Sequence, residues 1–321
     1  MFTQSTTSHR ENASRRDVSI LIPAYKPDWF TDCVESALAQ TWPVKEVIIS
    51  DDCPTNAIAD AVRPYLADSR VRYVRNESPL GPCGNYLRLA QLCSTRWLKF
   101  LDDDDVLLPD GLEKLMAHTF GKTAVVTGAC TLVHEDGSRS VMTPETPETV
   151  NGRRHFVQSS RRPPEGLFSR MLFRDDVVAS VLETPLPPAM ISLDEMLGFI
   201  AAFYGDAAYE HTPVCEYRLS ESGYSRINAP QVLLDDMVCV TVPFSMAAER
   251  KFLLPKELEE WRINTLGQYT RRCIDKYIQL RDFTGMREFL RLMREEFGTL
   301  DTMRCAATLE MGRAFLKRLF R

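Results

Sequence analysis

WLKFLDDDDVLLP, residues 97–109, is an apolar run that ends abruptly in four aspartates, Asp102, Asp103, Asp104 and Asp105. Its first half has the composition of a short strand buried on both faces. Four neighbouring carboxylates repel one another unless they are solvated, protonated or bound to a cation. Carboxylate oxygens are hard ligands that suit Mg²⁺ or Mn²⁺, and both ions also bind diphosphate oxygens. Asp102 and Asp104, as a D-x-D pair, therefore fit a metal site that neutralises a departing nucleoside diphosphate. The plainer alternative is a solvated acidic turn that caps the helix after Pro109, for which Asp105 alone suffices.

Upstream of this stretch, strand and helix signals alternate. VSILIP, residues 18–23, reads as a buried strand, and Pro23 and Pro27 open a loop after it. Residues 28–40 carry apolar side chains at helical spacing, at Phe30, Cys33, Val34, Ala37 and Leu38. A second strand over residues 47–50 runs into Asp51 and Asp52; an N-cap for the next helix, over 57–66, is the structural reading of that pair. A third strand over 71–74 and a helix over 84–93 lead to the strand that ends in the acid run. This alternation predicts a mostly parallel sheet covered by helices, with ligands bound beyond the carboxyl ends of its strands.

The middle of the chain is less regular. Residues 124–133 read as a strand, and Glu135-Asp136-Gly137 as a hairpin turn. Residues 143–164, rich in Pro, Thr, Ser, Asn and Arg, read as a long loop suited to acceptor contact. A helix is expected over 193–204 and a short strand over 214–219, then helices from about Leu233 onward. The expected division is a polar, disordered leader over 1–16, a catalytic domain over 17–230 and a helical region over 231–321.

Composition excludes several classes. Apolar residues at 44% and charged residues at 26% describe a globular chain, and its 321 residues suffice for one domain with an appendage. A net charge of -5 disfavours a coat for nucleic-acid phosphates, so no nucleic-acid partner is expected. Nine cysteines, with no C-x-x-C pair and no metal-ligand spacing, read as free thiols of a reducing cytoplasm. No transmembrane helix is expected, because the longest apolar candidate, residues 232–248, is interrupted by Asp235, Asp236 and Pro243. The G-x-G-x-x-G and Walker motifs of dehydrogenases and P-loop kinases are absent.

VSILIPAYKP, IISDDCP and FLDDDDVLLP, at these separations, resemble the inverting family-2 glycosyltransferases with the GT-A nucleotide-sugar-binding fold, over about Val18 to Arg226. The resemblance implies transfer of a sugar from a nucleotide-diphosphate donor, most commonly UDP-linked with dTDP or GDP open, to a glycan, lipid-linked or small-molecule acceptor. It places Pro23, Ala24 and Tyr25 along the nucleotide, with Lys26 where the family commonly has Asn. It assigns Asp52 to the base, although Cys53-Pro54 replaces the usual Gly-Ser after it. Asn76, Gly81 and Asn85 match the family's next segment loosely. Asp102 and Asp103 are carried over as donor contacts, and Asp102 and Asp104 as ligands of Mn²⁺ or Mg²⁺, Asp104 being the more direct one.

Inverting transfer needs a carboxylate to take the acceptor hydroxyl's proton. The family's base sits at the start of a helix upstream of a Gly and a Pro-x-x-x-Tyr-Arg segment, which here are SLDEMLGFIAAFYG and PVCEYR. Spacing from Gly205 points to Asp194, with Glu195 as the alternative; Ser192-x-x-Glu195 also reads as a capping box. Arg218 is assigned to the diphosphate, with a surface salt bridge as its plainer role; Ser220, Ser222 and Ser225 follow it. His211 reads as structural or exposed, and Cys215 as core.

The terminal GRAFLKRLFR is basic and amphipathic. It suits a peripheral contact with the inner face of a membrane, or docking on the domain or on a second copy of the chain. Two rival classes remain. In a haloacid-dehalogenase-type Mg²⁺-dependent phosphohydrolase, Asp102 would be the nucleophile and Asp104 the acid/base. The other rival is a non-catalytic binding protein that keeps the fold.

Overall fold

The computed structural model describes residues 17–161, 166–219 and 227–299. The expected leader, the serines at 220, 222 and 225, Cys305 and the basic terminal segment lie outside the described residues. The chain divides into two compact units, one built from residues 17–152, 166–188 and 200–219, the other from 153–161, 189–199 and 227–299. A single cut at residue 230 is thus simpler than the division the contacts make.

The first unit begins with the expected alternation: β1 (Val18–Ala24), α1 (Phe30–Leu38), β2 (Glu46–Asp51), α2 (Ala57–Val62), β3 (Val71–Arg75), α3 (Gly81–Leu92) and β4 (Trp97–Phe100). These four strands are parallel, in the order β3-β2-β1-β4. The chain steps outward from β1 to β3, then returns to the other side of β1. The carboxyl ends of β1 and β4 therefore flank a topological switch point, where such sheets bind ligands. β1, β2 and β4 are largely buried on both faces, and Ile20, Ile22, Val47, Ile49 and Leu101 join one core with Phe30, Val34 and Ile58.

Beyond β4 the sheet becomes mixed. β5 (Val106–Leu107), α4 (Gly111–Met116), β6 (Thr123–Val133), β7 (Arg139–Met142) and β8 (Thr149–Val150) follow, then α5 (Gly152–Ser159), β9 (Met171–Arg174) and α6 (Asp175–Ala179). α7 (Leu193–Ala201) and β10 (Asp206–Arg218) complete this part of the chain. β9 runs antiparallel between β4 and β6, and β10 lies parallel to β6. The hairpin expected at Glu135-Asp136-Gly137 joins β6 to β7, with Gly137 at φ 79°.

Two expectations are corrected. Residues 143–164 are not one loop, because they hold β8 and α5. α5 forms because Phe156 has a partner that local composition does not reveal: it stacks on Trp261 at 4.3 Å, and the Trp261 indole donates to its carbonyl at 2.7 Å. The strand expected at 214–219 starts at Asp206, since shifts of register around Pro213 let the proline sit inside β10 without breaking it. One segment passes the length and composition test for a membrane span, which by itself does not overturn the expectation that none is present. Residues Pro230–Glu249, comprising α8 (Pro230–Asp235) and α9 (Val238–Glu249), have the length and mean hydropathy, 1.3, of a spanning segment, with 39% of it buried. Within the second unit Asp236 accepts from the N–H groups of Ile191 (2.7 Å) and Ser192 (2.9 Å), which ties this segment to the fold.

The second unit continues with α10 (Pro255–Leu280) and α11 (Phe283–Phe297). Its core joins Phe156, Phe199 and Trp261 with Leu266, Tyr277 and Phe289. All eight cysteines among the described residues are buried.

Gly111 opens α4 where a Cβ would stand 2.2 Å from the Val214 carbonyl oxygen, the same oxygen that accepts from Leu108 N–H at 2.9 Å. Gly111→Ala is expected to cost about 1–3 kcal/mol through overpacking. The loss should appear as a lower urea midpoint, and an unchanged midpoint would contradict this packing.

Candidate active site

The acid run forms a tight turn between β4 and β5, and each aspartate has a different environment. Asp103 is buried and points toward the β1 loop, where its Oδ2 accepts from the N–H groups of Tyr25 (2.6 Å) and Lys26 (2.7 Å). Asp102 is half-buried; its Oδ1 accepts from the Tyr86 hydroxyl, and its N–H donates to Ser169 Oγ at 3.0 Å. Asp105 is fully buried; its Oδ1 accepts from Arg218 N–H at 2.8 Å, while its Oδ2 has no hydrogen-bond partner among the described residues. Asp104 is half-buried, and its carbonyl accepts from Arg218 Nη1 at 2.8 Å.

Burial raises all four carboxyls, and their mutual repulsion adds to it for Asp102, Asp103 and Asp105. Asp102 is pushed up to about 6, chiefly by burial and then by the charge of Asp104. Asp103 is pushed up to about 7 by burial, although its two backbone donors act the other way. Asp105 lies well above the usual carboxylate range because of burial and the neighbouring Asp102 and Asp104. Asp104 is raised by burial, with Lys26 and Arg218 pulling it back. Among the described residues, no three His, Cys, Asp or Glu side chains form a ready cage for a metal. Asp102 and Asp104 nevertheless fit a hard cation whose remaining ligands come from a bound diphosphate, as Mg²⁺ sites commonly do. The partnerless Asp105 Oδ2 and the repulsion within the turn both mark a place where added positive charge is favourable.

Around the turn, Tyr25 and Trp29 are 42% and 49% exposed, so two aromatic rings are available at the end of β1. Pro23 is half-buried and Ala24 is buried, its carbonyl accepting Asp52 N–H at 2.8 Å. The Arg218 guanidinium lies 4.1 Å from the Trp29 ring centroid and reaches Asp32 at 3.3 Å. Of the residues expected in the donor site, Tyr25, Asp102, Asp103, Asp104 and Arg218 therefore meet at one edge of the sheet.

Asp52 is placed differently from a side chain with oxygens to spare. Its carboxylate accepts from the N–H groups of Leu80 (2.8 and 2.9 Å) and Gly81 (2.9 Å), and from Asn76 Nδ2 (3.0 Å). It thus clamps the segment that enters α3. Its neighbour Asp51 accepts from Cys53 N–H at 2.8 Å and from the Tyr73 hydroxyl at 2.6 Å.

In the second unit the two candidate bases differ sharply. Glu195 is buried, with Tyr269 donating to Oε2 and Arg272 donating to Oε1 at 2.6 Å. Asp194 is half-buried, and its Oδ1 accepts from Glu195 N–H at 2.8 Å. The capping box does not form. The Ser192 hydroxyl donates instead to Asp236 Oδ2 at 2.6 Å, and Glu195 is held by α10.

Sequence reasoning passed over Tyr86, Ser169 and Lys99. Tyr86 follows Asn85 on α3 and carries no motif of its own. Ser169 belongs to a short 3-10 turn, Phe168–Arg170, whose position depends on β9 pairing. Lys99 did leave a signal, being a charged residue inside a four-residue strand whose other members are apolar.

The glycosyl transferase family 2 model matches residues 19–180. The chain is 34% identical over 101 residues to the succinoglycan biosynthesis protein ExoO of Rhizobium meliloti, covering 31% of this chain and 29% of that protein. It is 37% identical over 89 residues to the Escherichia coli UDP-Glc:alpha-D-GlcNAc-diphosphoundecaprenol beta-1,3-glucosyltransferase WfaP, covering 27% of this chain and 35% of that one. The matches span about a third of the length of these curated relatives. Among solved structures, S. aureus TarS residues 1–349 in complex with UDP-GlcNAc superposes with a TM-score of 0.57 at 17% identity, covering 87% of this chain and 92% of that one. That likeness establishes the GT-A fold with its helical C-terminal region.

Because Asp103 is neutral at low pH and costly to ionise where it sits, it stabilises the fold below its unfolded value of about 3.9. This contribution is lost as pH rises through about 7. In melts with a chelator present, Asp103→Asn should gain stability relative to the parent protein between pH 4 and pH 8, measured as a growing difference in Tm. A difference that is flat or shrinks with pH would contradict this burial.

Proposed function

The chain belongs to glycosyl transferase family 2, and on that premise we propose that it moves a sugar, with inversion, from a UDP-linked donor to a hydroxyl of a glycan or lipid-linked acceptor. The observation that carries this reading is the convergence of the acid turn with the Tyr25–Lys26 loop and Arg218 at the switch point of the sheet. Two relatives support the choice of substrates: WfaP is named for a UDP-glucose donor and a diphosphoundecaprenol-linked acceptor, and TarS has been crystallised with UDP-GlcNAc.

In this reading the exposed Tyr25 ring offers a face to the nucleoside, and the Arg218 guanidinium, already at the rim of the turn, pairs with diphosphate oxygens. Asp102 and Asp104 would hold Mn²⁺ or Mg²⁺, and that ion would supply positive charge against the charge that develops on the leaving diphosphate. Asp103 works indirectly by fixing the Tyr25–Lys26 backbone to the acid turn. Asp194 is the general base that takes the acceptor's proton. Glu195 suits that role poorly, because both of its oxygens are committed to Tyr269 and Arg272. Family membership and the three strands that precede β4, the strand that runs into the acid turn, leave the phosphohydrolase reading without support.

A thermal-shift titration with UDP and UDP-sugars tests the donor, since a ligand that binds the folded state raises Tm by mass action. UDP with Mn²⁺ should raise the Tm of the parent protein, and Asp104→Asn should remove that rise. Asp194→Asn should keep the rise and lose about 10²–10⁴-fold in turnover, the usual range for a general base. Full turnover in Asp194→Asn would assign the base elsewhere, and a non-catalytic protein would turn over no donor in either form.

A further inference from the structure

Of the nine residues of α7, only Asp194 is not buried. Leu193, Met196, Leu197, Phe199 and Ile200 all lie in the core, so apolar burial alone could hold the helix. Its opening is held instead by polar side chains at two points, one on each side of Asp194. Before it, Asp236, in the link between α8 and α9, is 7% exposed and directs three hydrogen bonds at two residues. Its Oδ1 accepts from Ile191 N–H (2.7 Å) and Ser192 N–H (2.9 Å), and its Oδ2 accepts from the Ser192 hydroxyl (2.6 Å). After it, Glu195 is 8% exposed; its Oε1 accepts from Arg272 Nη1 at 2.6 Å and its Oε2 from the Tyr269 hydroxyl. The Arg272 guanidinium also lies 4.8 Å from the Tyr269 ring centroid. Asp194 is tied to this second point, since its Oδ1 accepts from Glu195 N–H at 2.8 Å.

A carboxylate removed from water is costly unless its hydrogen bonds are complete, and apolar side chains of similar volume would stabilise a helix as well. What the polar set adds is direction, because a hydrogen bond constrains orientation where apolar contact does not. A general base needs that constraint. It must stand within hydrogen-bond reach of the proton it takes, and a misplacement of about 1 Å can cost about 10²-fold in rate.

We propose that Asp236, Tyr269 and Arg272 are positioning residues that fix the direction of the Asp194 carboxylate, so that the helical region sets the geometry of proton removal. This rests on Asp194 being the general base. Asp236 fixes the backbone that enters α7, and Tyr269 with Arg272 fixes the first turn of the helix through Glu195. All three act through the α7 opening and not on the reacting atoms.

The test follows UDP release from UDP-glucose and UDP-GlcNAc with Mn²⁺ in the full chain, water standing in for the acceptor. Asp236→Asn, Arg272→Met and Arg272→Lys are each made in the parent protein and in Asp194→Asn, and UDP affinity is measured beside kcat. In the parent, Asp236→Asn and Arg272→Met should lower kcat by about 10–10²-fold with UDP affinity unchanged. Arg272→Lys should recover most of the loss, because one donor to Glu195 Oε1 is what the site uses. In Asp194→Asn the same changes should lower kcat by about twofold or less, since no base is left to direct. A purely structural role would lower kcat by the same factor in both backgrounds, or weaken UDP binding in step with kcat. Either result would overturn the proposal, as would an unchanged kcat in the two parent variants. The Arg272 side chain is 45% exposed, so Arg272→Met decides alone should Asp236→Asn not fold. Full turnover in Asp194→Asn, or no UDP release by the parent, instead removes the base assignment, and the positioning role falls with it.

Discussion

Four consecutive carboxylates have to share one turn from which water is largely excluded, and the first unit is arranged around that constraint. Each aspartate meets it through a different partner. Asp102 receives the Tyr86 hydroxyl, Asp103 receives two backbone N–H groups of the β1 loop, and Asp105 receives Arg218 N–H, while Asp104 keeps its side chain near Lys26 and Arg218. Those partners come from three separate elements: α3, the loop after β1 and β10. The sheet order brings them together, because β1 and β4 are neighbours across the switch point and the irregular register of β10 carries Arg218 to the same edge.

The same device recurs at lower charge. Asp52, at the end of β2, uses its oxygens to hold the entry to α3, which is the helix that delivers Tyr86 to Asp102. Carboxylates in this fold thus shape loops as well as face ligands, and position at a strand end does not separate the two roles. In the second unit, Glu195 is likewise a structural carboxylate, set between a tyrosine and an arginine of α10, while the residue beside it stays half-buried. Adjacent acidic residues can therefore divide into one that holds the helix and one that remains accessible.

Much of this was legible from the chain because its first hundred residues follow local rules. Apolar strands ending in acid, with helical spacing between them, gave β1 to β4 and the acid turn to within a few residues. Legibility falls where a segment owes its structure to distant partners. α5 depends on Trp261, a hundred residues away, so its polar composition read as loop. β10 contains Pro213, which local reasoning treats as a break, although a shift in register absorbs it. Asp52 and Glu195 looked available because sequence shows neither the N–H groups of Leu80 and Gly81 nor the α10 side chains that occupy them. Lys99 was visible as an oddity, but the Phe100 and Ser169 carbonyls that accept from it are brought together only by the fold.

The most direct measurement of the central claim is a crystal structure of the protein grown with UDP and Mn²⁺, with anomalous scattering collected at the manganese edge. One strong manganese peak is expected within bonding distance of the Asp104 carboxylate, with the diphosphate beside it and the nucleoside against Tyr25. A nucleotide bound at another edge of the sheet, or beside an acid turn whose Asp104 touches no metal, would contradict it.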